Sequence, residues 1–344
     1  MIDIMYNISI TANKLMVNNM IKVDLITGFL GSGKTTFIKR YAKFLNDQGL
    51  KICIIENDYG AVNVDVALLE DIRSDMCQVE MIVGGDGSDA HKRRLKTKLI
   101  TLAMSGFQRV IIEPSGIFDM DEFFDTLYES PLDNWYEIGS VIAIAPADLE
   151  DNLSVDSDYV LASEIADAGV VVLSKTETAS RAQISKVKEH IRTALLGIST
   201  KRKDIFSSKE AFDNFFINKT YEEFDDYDFK KIASSGYVHG DYEKRSSSLD
   251  DAYTSLYLFG VTLSKDKLIE NINMAIKDPE CGYIIRIKGF AKEKEEYIEI
   301  NATREKITHA YVKNAQEVII VIGENLNKEK INDYFPTADF DELI

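Results

Sequence analysis

Eight consecutive residues, Gly28-Phe29-Leu30-Gly31-Ser32-Gly33-Lys34-Thr35, can wrap a backbone around an anion and end on an ammonium and a hydroxyl. Two glycines flank four residues before Lys and Thr, which is the spacing of a phosphate loop. The glycines let successive N–H groups point inward, and a helix opening near Lys34 adds its positive end. Lys34 can reach β- and γ-phosphates, and the Thr35 hydroxyl can ligate Mg²⁺. The expected ligand is a nucleoside triphosphate, held by Gly28, Gly31, Ser32, Gly33, Lys34, Thr35 and Thr36.

Two further stretches supply chemistry that such a loop lacks. Glu113 ends the apolar run of "RVIIEPSG", where a carboxylate could complete a Mg²⁺ shell. In the same turn Gly116 could give its N–H to the γ-phosphate. "VVVLSKTE" ends on Ser174-Lys175-Thr176-Glu177, close to the Asn-Lys-x-Asp pattern of a guanine-reading loop. A lysine stem packs on the purine face, and a carboxylate accepts the ring N–H and the exocyclic amine. Here Glu177 stands for the aspartate and Ser174 for the asparagine, so a modest guanine preference is expected.

These residues must be held by strands and helices. "KVDLIT" (22–27), "KICIIE" (51–56), "CQVEMIV" (77–83), "RVIIE", "SVIAIA" (140–145) and "VVVLSK" (170–175) are short, β-branched apolar runs. Helical stretches separate them, and Phe37, Tyr41, Phe44 and Leu45 recur at helical spacing before Gly49. Apolar strands alternating with helices predict an α/β fold, a mainly parallel sheet covered by helices on both faces. The expected organisation is an N-terminal extension over 1–20, a phosphate-loop domain over 21–197, a connecting segment over 198–248 containing a short helix, and a smaller C-terminal α+β domain over 249–344. The last is expected to be mostly antiparallel, because its strands are joined by short turns. Residues 1–19 read either as an edge strand, "NISIT", or as a stretch upstream of the start at Met20.

The chain of 344 residues carries a formal charge of −17, which argues against DNA or RNA as its main partner. Its three cysteines, Cys53, Cys77 and Cys281, form no short-spaced pair, and Cys77 reads as core. No apolar run approaches the roughly 18 residues of a membrane span, and the N-terminus lacks a secretory pattern. Cytoplasmic residence is the default expectation.

With "GFLGSGKTT", "ENDYGAVNVD" (56–65), Glu113-Pro114-Ser115-Gly116 and "SKTE" in place, the chain resembles the CobW-like family of phosphate-loop GTPases. These are relatives of the GTPases that insert nickel into urease and hydrogenase. The C-terminal "GYIIRIKGF" and "EVIIVIGENL" also resemble that family, so the likeness covers roughly residues 21–335. It implies GTP with Mg²⁺, a role in metal homeostasis or metalloprotein maturation, and a client metalloprotein as partner. It also implies a switch segment at Asn57-Asp58-Tyr59-Gly60, with Asp58 or Asp65 binding a Mg²⁺ water or orienting the attacking water. The implied catalytic set is Lys34, Glu113 and Asp58, and the implied Mg²⁺ set is Thr35, Glu113 and Asp65. No glutamine stands out to position water, so slow hydrolysis is expected.

The family's Gly-Cys-x-Cys-Cys metal motif is missing. Its place reads Gly85-Asp86-Gly87-Ser88-Asp89-Ala90-His91. Asp86, Asp89 and His91 could form a harder, oxygen-rich site, but Lys92, Arg93 and Arg94 repel a cation, so no tightly held transition metal is expected there. The basic run His91–Lys98 reads as a solvated helix face, or as a surface meeting phosphates across a homodimer. Two alternatives stay open beside a GTPase: a nucleotide-dependent interaction switch without a metal site, and a small-molecule kinase. The kinase would need an arginine-rich lid, which is not evident after residue 113.

Overall fold

The computed structural model describes residues 20–29, 31–58, 69–83, 88–114, 120–242, 254–261, 263–293, 296–304, 306–312, 315 and 317–336. The two readings of residues 1–19 lie outside them. The first half of the chain alternates β1 (Ile21–Gly28), α1 (Lys34–Asp47), β2 (Ile52–Asp58), β3 (Cys77–Val83), α2 (Ser88–Ala103), β4 (Arg109–Glu113), α3 (Met120–Tyr128), β5 (Tyr136–Pro146), α4 (Val155–Ala166), β6 (Val170–Ser174) and α5 (Arg181–Gly197). The next segment holds α6 (Lys203–Phe206), α7 (Lys209–Asn214), β7 (Phe216–Ile217) and α8 (Asp226–Ala233).

Seven strands form one sheet in the order β3-β2-β4-β1-β5-β6-β7, and every pairing in it is parallel. The expected parallel sheet is therefore present. β1 is central and, apart from Lys22, wholly buried, because helices cover both faces. On one face Phe37, Tyr41 and Phe44 of α1 pack with Phe229 and Ile232 of α8. The other face is covered by α3, α4 and α5, through Phe123, Phe124, Leu161, Ile165 and Ile191. Cys77 is buried in the core, as its apolar run suggested.

A single acid interrupts β1. Asp24 is fully buried and accepts from Arg109 Nη2 at 2.8 Å, from Tyr41 OH at 2.8 Å and from the Ser140 N–H at 2.9 Å. A buried charge is tolerated only when paired and hydrogen-bonded in this way. The network bolts α1, β4 and β5 to the strand that delivers the phosphate loop.

Residues 198–248 do more than connect. β7 pairs with β6 and extends the sheet, and α8 completes the core over α1. The Arg202 guanidinium is buried, donates to Ala166 O at 2.6 Å and Ala168 O at 2.9 Å, and pairs with Asp204. It thereby satisfies carbonyls left open at the end of α4.

The C-terminal part comprises β8 (Thr254–Phe259), α9 (Lys265–Lys277), β9 (Tyr283–Glu293), β10 (Glu296–Thr303), β11 (Ile307–Val312), β12 (Val318–Glu324) and α10 (Lys328–Tyr334). Its five strands run β11-β10-β9-β12-β8, all antiparallel, with α9 packed on one face through Leu268, Ile272 and Ala275. The expected α+β unit is therefore present. It is tied to the first sheet by polar contacts. Glu324 accepts from Ser154 Oγ at 2.6 Å and Ser157 Oγ at 2.7 Å, placing a carboxylate at the positive end of α4. Glu150 accepts from Tyr283 OH and pairs with Arg304 at 3.6 Å.

Candidate functional site

β1 lies where the chain path changes sides of the sheet, so the C-terminal ends of β1, β4, β5 and β6 frame one crevice. The phosphate loop leaves β1 at that edge. At Gly28 φ is +133°, and a β-carbon there would lie 2.1 Å from the Ile144 carbonyl oxygen, so only glycine fits. Gly33 adopts a left-handed conformation (φ 89°, ψ 26°) as N-cap of α1, with no side chain capping the helix. The first turn of α1 thus offers its N–H groups to an anion rather than to a cap. The Ser32 hydroxyl is buried inside the loop and has no hydrogen-bond partner among the described residues. That is a polar group suited to a ligand that brings acceptors.

Lys34 points inward and is almost buried. Its Nζ donates to Gly28 O at 2.9 Å and stands 3.8 Å from Glu113 Oε1. Thr35 is half-buried and Thr36 exposed in the first turn of α1. Glu113 is buried at the end of β4, beside Glu56 of β2 in the strand register. The structure therefore brings Lys34 and Glu113 together beside the Thr35-bearing turn. A hydroxyl and a buried carboxylate form a hard-oxygen pair of the kind Mg²⁺ takes. The backbone of Asp58 ends β2 opposite Val83. The Asp58 side chain, Asp65, Asp86, Gly116 and the side chains of Asp89 and His91 lie outside the described residues. Among the described residues no three His, Cys, Asp or Glu side chains gather as a metal site.

The loop after β6 is arranged differently from the sequence reading. Ser174 Oγ donates to the Ser32 carbonyl at 2.5 Å, so this side chain ties the loop after β6 to the phosphate loop rather than facing a base. Lys175 is left-handed (φ 55°), and its Nζ grips Asp148 at 3.0 and 3.1 Å. Glu177 is exposed. The loop after β7 brings up Tyr221, whose phenol is pushed to a higher pKa by burial and then by the nearby Glu177. The C-terminal sheet closes the far side. A β-carbon at Gly31 would lie 3.4 Å from Thr303 and 3.9 Å from Arg286. The cleft between the two parts is lined by Phe29, Gly31, Lys175, Tyr283, Thr303 and Arg304.

The basic run on α2 is partly neutralised. Lys92 and Lys96 pair with Glu129, Lys98 pairs with Glu80, and Arg93 and Arg94 are exposed. This is how a solvated helix face looks.

Two site residues escaped the sequence reading. Glu164 of α4 is buried, and its Oε2 accepts the Gly28 N–H at 3.0 Å, while its carbonyl accepts from Thr27 Oγ1 at 2.6 Å. The signal was one acid inside "VLASEIA" (160–166), otherwise small or apolar. Asp148 lies two residues past the end of β5, and its place just beyond a strand end beside β6 could have marked it.

A family model described as CobW/HypB/UreG, nucleotide-binding domain, matches residues 22–197. The chain is 31% identical over 173 residues to the zinc chaperone YjiA of Escherichia coli, covering 48% of this chain and 52% of that one. It is 22% identical over 177 residues to the zinc-regulated GTPase metalloprotein activator 1 of Schizosaccharomyces pombe, covering 50% and 43%. The chain thus spans about half the length of the curated relatives it matches. Among solved structures, the Zn(II)-bound YjiA GTPase from E. coli aligns at 19% identity and a TM-score of 0.38, over 92% of this chain and 98% of that one.

Proposed function

The chain belongs to the CobW/HypB/UreG family of nucleotide-binding domains, and from that membership and the phosphate loop's geometry we propose that it binds GTP with Mg²⁺ and hydrolyses it slowly, in the service of metal homeostasis or metalloprotein maturation. The observation that carries the nucleotide part is the uncapped start of α1 behind Gly33, with Lys34 and Glu113 at its mouth. The metal-related task rests on relatives described as a zinc chaperone and as a zinc-regulated metalloprotein activator.

In this reading the loop N–H groups and the start of α1 cradle the phosphates. Lys34 leaves the Gly28 carbonyl and contributes its charge to the β- and γ-oxygens. Thr35 and Glu113 would hold Mg²⁺, which when bound neutralises charge on those oxygens. Ser174 keeps the base loop in register with the phosphate loop, and Lys175 lays its stem against the purine while Asp148 fixes its ammonium. Glu177 accepts from the guanine edge. Asp58 or Asp65 orients the attacking water.

One observation favours a second reading for the metal part. The segment 85–91 carries no cysteine, so a nucleotide-gated interaction switch without a resident thiolate site fits it equally well. Phosphate release from GTP and from ATP, measured with and without Mg²⁺ and with added Zn²⁺, tests both readings. Mg²⁺-dependent release from GTP supports the first, and stimulation by Zn²⁺ supports the metal task. Tight GTP binding without turnover supports the switch. Equal use of ATP overturns the guanine assignment.

A further inference from the structure

Glu164 is a buried acid beside the phosphate loop for which the mechanism above has no use. It sits in the last turn of α4, directly behind the residue where β1 becomes the loop. Its hydrogen-bond partners bind the helix to the strand at two points: the Gly28 N–H donates to its carboxylate, and Thr27 Oγ1 donates to its backbone carbonyl. The Gly28 peptide is therefore held from both ends, since its carbonyl accepts from Lys34.

The charges facing Glu164 are few. From α1 it faces Lys34, and from β4 it faces Glu113. β1 presents the Gly28 N–H. α5 packs on α4 with Val187, Ile191, Ala194 and Leu195, and its His190 is tied to Asp158 near the other end of α4. Burial, the largest influence, pushes the Glu164 carboxyl up to about 7, while Lys34 and the Gly28 N–H pull it down and Glu113 pushes it up. The balance depends on Lys34 staying where it is.

We propose that Glu164 is a positioning residue of the phosphate loop, and that its carboxyl takes up a proton when a nucleoside triphosphate draws Lys34 away from Gly28; this rests on the nucleotide reading above. The triphosphate adds negative charge in front of the loop that its Mg²⁺ offsets only in part, and it withdraws the cation that best compensates the carboxylate behind it. A buried carboxylate that loses its compensating cation answers by protonating. The proton comes from solvent, no covalent bond in the nucleotide changes, and the neutral carboxyl still accepts from the Gly28 N–H through its carbonyl oxygen. The loop keeps its anchor while the repulsion is removed. Because the bound state holds more protons, affinity rises as pH falls.

The test is titration calorimetry of the full chain with a non-hydrolysable GTP analogue and Mg²⁺ at about pH 7.5, in buffers of different ionisation enthalpy. Wild type is expected to take up a sizeable fraction of a proton beyond that taken up by Glu164→Gln, whose amide still accepts from Gly28 but cannot titrate. Wild-type affinity is expected to fall by up to about tenfold per pH unit above neutrality, and the slope is expected to flatten in the variant. Equal proton uptake in the two proteins overturns the proposal and leaves the nucleotide reading standing. No binding of the analogue to wild type overturns both. If circular dichroism shows the variant unfolded, wild type decides alone: pH-independent affinity above neutrality overturns the proposal.

Discussion

Lys34 is held by protein groups that a ligand must outbid, namely the Gly28 carbonyl and Glu113. Its contribution to folding is one hydrogen bond and an ion pair at 3.8 Å, whereas its contribution to phosphate binding is a charge at contact distance. Lys34→Ala is therefore expected to lose about 3 kcal/mol of triphosphate affinity, roughly a hundredfold or more, with little change in the melting temperature. Unchanged affinity by titration calorimetry would remove the phosphate-loop role. At the other end of the site, Glu177 is exposed and free to meet a base edge, but its longer side chain makes a looser reader than aspartate. Competition between GDP and ADP is expected to show a modest guanine preference that Glu177→Ala erases; a preference that survives the substitution would move base reading elsewhere. The places of Lys34 and Thr35 at the start of α1 and of Glu113 at the end of β4 were legible, because each follows from local spacing. Glu164 was not, since its role comes from a hydrogen bond across 136 residues. The place of Ser174 at the end of β6 was legible, but its partner, the Ser32 carbonyl, is set by how two loops leave the sheet.

Among the elements, α4 carries unusual traffic. Its first turn receives Glu324 from the C-terminal sheet, its flank holds Gly28, and its last carbonyls are closed by Arg202. The buried acid it presents to β1 has a measurable consequence for folding. The folded-state pKa of Glu164 is raised from 4.5 to about 7, so the native state binds more protons than the unfolded chain across that interval. Stability from this group is fully present below about pH 4.5 and is lost as pH rises through 7. Glu164→Gln is expected to melt above wild type at alkaline pH by an amount worth up to about 3 kcal/mol, and the gap is expected to close in mildly acidic buffer. A gap independent of pH, read by thermal unfolding at both ends of the range, would contradict it. The strands were legible as elements because buried parallel strands are continuous apolar runs. Of the segment after α5 only one short helix was expected, because α6, α7 and the two-residue β7 are too short for a period to repeat.

At the scale of the whole molecule, two sheets of different construction meet through polar contacts, Glu324 with Ser154 and Ser157, and Glu150 with Tyr283 and Arg304. Such a joint holds an orientation without fusing two cores. Both cores announced themselves in the sequence, the first by alternation of strand and helix, the second by strands with short turns. Their meeting line did not, since a serine pair and a glutamate 167 residues apart leave no local pattern. The place of β7 and α8 bears on where this protein can be divided. The family match stops at residue 197, yet the core over α1 is finished by Tyr221, Phe229 and Ile232, and the sheet by Phe216 and Ile217. The recognisable unit is thus shorter than the stretch of chain that closes this core. A fragment cut after Gly197 would lay bare the apolar faces of Phe37, Tyr41 and Phe44 and leave β6 as an open edge, so it is expected to aggregate on expression. A fragment continued through Tyr242 is expected to remain soluble and monodisperse by light scattering and to keep the nucleotide affinity of the whole chain.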